Sequence, residues 1–191
     1  MFSLNIIISQ EYTHYAQKEP QQTITVTYLA RRASTVWPEK RYCNDTSSFF
    51  LCELWKDWGI RSLGRMVGND KEIVTTLKGL ESRTYKNKAR VIFQDVDYNL
   101  LSFEDQIKTD LATDILVGPH GAGLVHNIFM RDRATLIELS VDGSGNLRHF
   151  FNLAHWYGRA YVGLNVNNPI DIPSLMTAIV DAVEATDLSQ Y

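Results

Sequence analysis

Asp114-Ile115-Leu116-Val117-Gly118-Pro119-His120-Gly121-Ala122-Gly123-Leu124-Val125-His126 is the stretch whose reading decides the fold. A short apolar run over Asp114–Val117 reads as a buried strand and is cut by Gly118-Pro119. The apolar run that follows, Ala122–Met130, has helical length. A buried strand, a glycine-rich turn and a helix in succession make half of a βαβ unit. The glycines let the backbone approach an anion, and the helix behind them offers unpaired N–H groups and a positive dipole end. His120 stands at the mouth of this turn, where it can donate to a phosphate oxygen or stabilise a leaving group. The same residues also suit a tight strand-to-helix turn with no ligand, and the motif alone does not separate the two readings.

Both flanks repeat the alternation. Upstream, Thr23–Ala30 is a β-branched strand ending in Arg31-Arg32, and a polar stretch runs on to about Ser48. A helix is predicted over Phe49–Trp58, and Asn69 with Glu72 opens another whose Ile73, Val74, Leu77 and Leu80 share one face. Arg90–Phe93 reads as a strand, and Ser102 with Asp105 caps a helix carrying Phe103, Ile107 and Leu111 on one stripe. Downstream come a strand at Thr135–Leu139, a helix with Leu147, Phe150, Phe151, Ala154 and Tyr157 as its apolar face, and a strand at Ala160–Leu164. A closing amphipathic helix over 170–187 carries Ile172, Leu175, Met176, Ile179, Val180 and Val183. The predicted class is α/β, a Rossmann-like parallel sheet with helices on both faces. One domain is expected over 1–191, with 1–22, including Leu4–Ile8, as a lead-in of open role.

Composition narrows the function classes. The 191 residues carry 19 Lys+Arg against 22 Asp+Glu, a net charge of −3, so the basic face of a nucleic-acid binder is not expected. With 45% hydrophobic and 21% charged residues the chain has ordinary globular usage. A chain of this length buries roughly 70% of its unfolded surface and needs no metal or disulfide to fold. No apolar run reaches the ~18 residues of a membrane helix, and Met1–Gln10 has neither the basic start nor the cleavage site of a signal peptide. Cys43 and Cys52 fit a bridge in an oxidising lumen or two buried thiols in a reducing one. Asn44-Asp45-Thr46 is an N-glycosylation sequon, which chance supplies easily.

In an open parallel sheet, ligands bind beyond the carboxyl ends of the strands. The residues at those ends are Arg31, Arg32, Asp95, Asp97, the run Gly118–Gly123 and Glu138. Two arginines, a glycine-rich turn and one acid at a common edge suit a phosphorylated ligand with hydroxyls. Glu138 shares a strand face with Leu136 and Ser140, and a buried carboxylate there demands a partner. The two readings are a clamp on a ligand ribose and a salt bridge to Arg31 or Arg32. Asp95-Val96-Asp97 resembles a metal-binding DxD triplet, a three-residue match of low specificity, and no metal is expected. His14, His126, His149 and His155 show no ligand spacing, and no nucleophile elbow, Walker loop or catalytic carboxylate pair is present.

Three blocks together resemble glycosyltransferase family 61: Leu100-Leu101-Ser102-Phe103-Glu104-Asp105-Gln106-Ile107, then Thr113 through His126, then Ile137-Glu138-Leu139. The upstream Thr23-Ile24-Thr25-Val26-Thr27-Tyr28-Leu29-Ala30-Arg31-Arg32 is similar to the strand-plus-arginine element that precedes them in that family. The likeness spans 23–164. It implies the carboxyl-terminal donor domain of an inverting GT-B enzyme that transfers a sugar, GlcNAc or a pentose, from a UDP-sugar to a protein or glycan hydroxyl. By the resemblance, Arg31 and Arg32 meet the phosphates, the turn His120, Gly121, Ala122 and Gly123 cradles the pyrophosphate, and Glu138 faces the ribose or uridine.

The resemblance further implies no metal or other cofactor beyond the donor, and a place in the Golgi or endoplasmic reticulum lumen. It also implies an amino-terminal Rossmann-like domain with the acceptor site and the catalytic base, for which the 191 residues leave no room. His120 is the candidate catalytic group within the chain, and the chain alone is expected to bind donor without transferring sugar. Two alternatives stand beside this reading. One is a sugar-nucleotide-binding or scaffold domain without activity. The other is an NAD-type oxidoreductase, because Glu138 lies 20 positions after Gly118, although the glycines run G-x-x-G-x-G and do not follow a first strand.

Overall fold

A computed structural model describes residues 23–32, 67–141 and 147–188. The lead-in, the predicted helix Phe49–Trp58, His14, Cys43, Cys52 and the Asn44 sequon lie outside the described residues.

Five parallel strands form one sheet: β1 Thr23–Leu29, β2 Arg90–Val96, β3 Ile115–Pro119, β4 Thr135–Ser140 and β5 Ala160–Asn165. Their order is β2-β1-β3-β4-β5. β1, β3 and β4 are buried along their whole length and therefore read as unbroken apolar or β-branched runs, whereas the edge strands β2 and β5 alternate. Between the strands run the helices α1 Asp70–Lys78, α2 Phe103–Ala112 and α3 His149–Trp156 and a 3₁₀ helix at Ala122–Phe129, and α4 Ile172–Ala185 follows β5.

Strand alternation sends side chains to two cores. Ile24, Val26 and Tyr28 with Ile115, Val117, Ile137 and Leu139 face Ile73 and Leu77 of α1 and Leu175, Ile179 and Val183 of α4. On the other face Leu29, Leu116 and Leu136 meet Leu124 and Met130 of the 3₁₀ region and Phe150 and Ala154 of α3. Helices on both faces of a parallel sheet make the predicted Rossmann-like α/β arrangement.

The predicted strands all form, and the deviations are local. β2 continues to Val96, and β3 runs through Gly118-Pro119, whose Pro119 pairs with Leu139. Asp114 stays outside β3, where its carboxylate accepts the Thr25 N–H at 2.7 Å and ties β1 to β3 at their amino ends. Asn69 does not cap α1 through its side chain; that amide bridges to the backbone of Ile170 ahead of α4, at 2.9 Å both ways.

Three amphipathic readings need correction. In α2 the expected stripe is not the buried one: Phe103 is 63% exposed, and the residue α2 buries is Asp110. Its carboxylate accepts the Tyr98 hydroxyl and sits 2.6 Å from His126 Nδ1, which repays its desolvation. In α3 only Phe150 and Ala154 are buried, while Leu147, Phe151 and Tyr157 are exposed. The predicted helix at Ala122–Met130 is a 3₁₀ helix, because Leu124, Asn127 and Met130 are buried at every third residue rather than at the α period.

Candidate functional site

The order 2-1-3-4-5 reverses direction between β1 and β3, and the crevice beyond the carboxyl ends of those two strands is the ligand position for such sheets. β1 delivers Arg31 and Arg32 there, and β3 delivers His120 and the glycine turn.

The two arginines part company. Arg32 Nε donates to Asp70 at 2.9 Å, and its Nη2 donates to both oxygens of Asp95 at 2.8 and 2.9 Å. Arg32 therefore joins β1, β2 and α1. Arg31 runs the other way, onto the turn: a Cβ added to Gly121 would lie 2.7 Å from Arg31 Nη1. Only glycine at 121 lets the guanidinium come down on the turn without displacement. A Cβ at Gly123 would likewise strike Leu29 Cδ2 at 2.7 Å, so the turn is pressed onto the end of β1.

The amides of the turn are divided as well. His120 N–H belongs to the sheet, donating to Leu139 O at 2.9 Å. The 3₁₀ ladder begins with Leu124 N–H to Gly121 O at 3.0 Å, so the N–H groups of Gly121, Ala122 and Gly123 come before its first bond. The helix end behind the turn is thus a helix amino terminus, although 3₁₀ rather than α.

His120 is 5% exposed, and its ring packs edge-on against Phe150 with centroids 5.0 Å apart. Its Nδ1 is hydrogen-bonded to Glu138 Oε1, and its Nε2 bonds to none of the described residues. Glu138 is fully buried, and its other oxygen accepts the Tyr161 hydroxyl at 2.8 Å. Of the two readings of Glu138, the salt bridge to Arg31 or Arg32 does not form: its charge is met by a histidine and a tyrosine from the same face. A carboxylate accepts, so Nδ1 carries a proton that it donates to Glu138. Burial first, then the bond and the charge of Glu138, pushes the Tyr161 hydroxyl above the usual tyrosine range, which keeps it a donor.

Asp95 and Asp97, the DxD pair, are both engaged within the chain. Asp95 holds Arg32, and Asp97 accepts the Asn99 N–H at 3.0 Å as the cap of the turn after β2. Among the described residues no group of three His, Cys, Asp or Glu side chains is placed to hold a metal ion.

Sequence reasoning missed Tyr161, whose hydroxyl reaches the site from the edge strand, and the second carboxylate-anchored histidine, His126. Near Tyr161 a cavity of about 280 Å³ opens between Ser140, Arg148, Phe151 and Asn165. The spacing of Tyr161 and Gly163, on one face of a strand two residues apart, is the signal that was there to be read.

The dinucleotide alternative fails on context. Its fingerprint opens the turn after the first strand, whereas this turn follows β3, and Glu138 is already committed to His120 and Tyr161.

Sheet order, crossover helices and site edge together define a Rossmann-like α/β domain. Residues 59–137 match the family model described as Glycosyltransferase 61. The match takes in His120, Gly121, Ala122 and Gly123 and stops one residue short of Glu138. Curated proteins named EGF domain-specific O-linked N-acetylglucosamine transferase are similar to the chain. The Bos taurus protein is 33% identical over 106 residues, 56% of this chain and 19% of that protein. The Rattus norvegicus protein is 35% identical over 98 residues, covering 51% and 17%, and the Drosophila melanogaster protein 30% over 122 residues, covering 64% and 16%. The matched region thus spans less than a fifth of these relatives. Among the described residues no helix is long and apolar enough to cross a membrane.

Proposed function

We propose that this chain is the donor-binding, carboxyl-terminal part of an inverting GT-B glycosyltransferase that moves GlcNAc or a pentose from a UDP-sugar to a protein or glycan hydroxyl in the Golgi or endoplasmic reticulum lumen. The observation that carries the reading is the descent of Arg31 onto Gly121 at the β1/β3 switch point, beside a carboxylate-anchored His120. A diphosphate there receives charge-assisted bonds from Arg31 and hydrogen bonds from the amides of Gly121, Ala122 and Gly123. The family match and the names of the relatives support sugar transfer as the chemistry.

In such a transfer the acceptor oxygen attacks the anomeric carbon, the bond to the diphosphate oxygen breaks, and UDP leaves with the electron pair. Negative charge grows on the leaving phosphate, so a cation and fixed N–H groups aimed at it favour the transition state over the ground state. Arg31 and the turn amides supply them in this reading, with no metal assigned, because Asp95 and Asp97 already serve Arg32 and the turn after β2. Arg32 supports the edge from behind, and Glu138 acts on the ligand through His120 rather than on the ribose directly. The base that takes the acceptor proton is assigned beyond the described residues.

Thermal unfolding with and without nucleotide tests the reading. UDP is expected to stabilise the protein by RT ln(1 + [L]/Kd), about 2.7 kcal/mol at a hundredfold excess over Kd, and NAD is not. A larger rise in Tm with NAD than with UDP would overturn it.

A further inference from the structure

We propose that Tyr161 is a positioning residue of the ligand site, holding His120 through Glu138, and that Gly163 is what allows it to do so; its consequence for ligand binding rests on the nucleotide reading above.

The geometry of β5 carries this. Tyr161 pairs in register with Leu136, and Gly163 pairs with Glu138. To bond Glu138, the Tyr161 ring must lie down along its own strand, across the position two residues ahead. A Cβ at Gly163 would meet the Tyr161 hydroxyl oxygen at 2.8 Å, Cε1 at 3.1 Å and Cζ at 3.2 Å. The absent side chain of Gly163 is the space the ring occupies.

Consecutive residues of α3 brace the two ends of the relay. Phe150 packs edge-on against His120 at 5.0 Å, and Phe151 packs edge-on against Tyr161 at 5.4 Å and 85°. With Oε2 held by Tyr161, the buried carboxylate turns Oε1 to His120 Nδ1, which fixes a proton there, sets the ring orientation and leaves Nε2 for the ligand. A tyrosine that served only as packing would need its ring and not its hydroxyl, and that difference is measurable.

The experiment compares Tyr161→Phe, Gly163→Ala and their combination. Imidazole NMR of His120 is recorded without nucleotide, and UDP affinity is measured by calorimetry. In the wild type a hydrogen-bonded Nδ1 proton is expected. In Tyr161→Phe, which keeps the ring, that signal should broaden or vanish and the Kd for UDP should rise on the order of tenfold. Gly163→Ala should do the same by pushing the hydroxyl away, and the double variant should be no worse than the poorer single, because both act on one bond. Should Tyr161→Phe fail to fold, Gly163→Ala with its intact hydroxyl carries the comparison. An unchanged His120 signal in a folded single variant overturns the proposal. A changed signal with no UDP binding in the wild type keeps the positioning and sinks the nucleotide reading instead.

Discussion

Arg31 and Arg32 leave the same strand end and meet opposite surroundings. Arg32 is gripped by two carboxylates from elements 38 and 63 residues away, Asp70 and Asp95. Arg31 instead rests on a glycine of the turn. Arg32→Ala should therefore lower apo stability by roughly 1–2 kcal/mol, discounted for the partial exposure of all three side chains, and should leave UDP affinity nearly unchanged. Arg31→Ala should cost roughly 1.5–3 kcal/mol of UDP binding, through the loss of its charge over the turn. Gly121→Ala should weaken UDP binding as well, at small cost in stability, since the atom in its way is the far end of a flexible side chain. Calorimetry and thermal melts on the three variants separate these roles, and the reverse assignment would follow if Arg31→Ala unfolded the protein while Arg32→Ala lost UDP. The sequence placed both arginines at the edge, but adjacency hides which one meets Asp70 and Asp95. That depends on where Asp70 and Asp95 arrive in space, a long-range fact that no local pattern records.

At the scale of elements, the segment between His120 and His126 is clamped at both ends by the same device. Each histidine places Nδ1 on a fully buried carboxylate, Glu138 or Asp110, and each carboxylate accepts a tyrosine hydroxyl, Tyr161 or Tyr98. Burial raises the Asp110 carboxyl above its usual range, while the bonds from His126 and Tyr98 pull it back. Burial and the facing carboxylates push both tyrosine hydroxyls well above the usual 10.0. A raised folded-state pKa contributes stability that is complete below the unfolded value and is lost as pH climbs from there toward the folded one. Denaturant unfolding should thus show stability holding up to about pH 10 and falling beyond it, with a shallower fall in Tyr98→Phe; a slope identical in that variant would remove Tyr98 from the account. These clamps escaped sequence reading because Asp110 sits on a helix whose evident stripe was Phe103, Ile107 and Leu111. The 3₁₀ form escaped because Asn127, one of its three buried residues at period three, is polar. Strands were easier; of the two caps the spacing suggested, Ser102 does accept the Asp105 N–H at 3.1 Å, while Asn69 turns to Ile170 instead.

For the whole molecule, the parallel sheet was legible because β1, β3 and β4 are buried on both faces and so declare themselves as apolar runs, and the site edge followed from the rule that ligands gather at strand carboxyl ends. Strand order was not legible, yet it is the order that brings Arg31 to Gly121 and so turns a list of edge residues into a site. In the proposed function the turn after β3, capped by Arg31, holds the diphosphate of a UDP-sugar. Backbone amide NMR on titration with UDP tests it most directly. The largest shifts are expected at Gly121, Ala122 and Gly123 and at Arg31, with smaller ones at Tyr161 and Gly163 through the relay. Shifts centred instead on the amino-terminal edge of the sheet, around Asp114 and the Arg131 guanidinium 3.4 Å from its carboxylate, or none at saturating UDP, would contradict it.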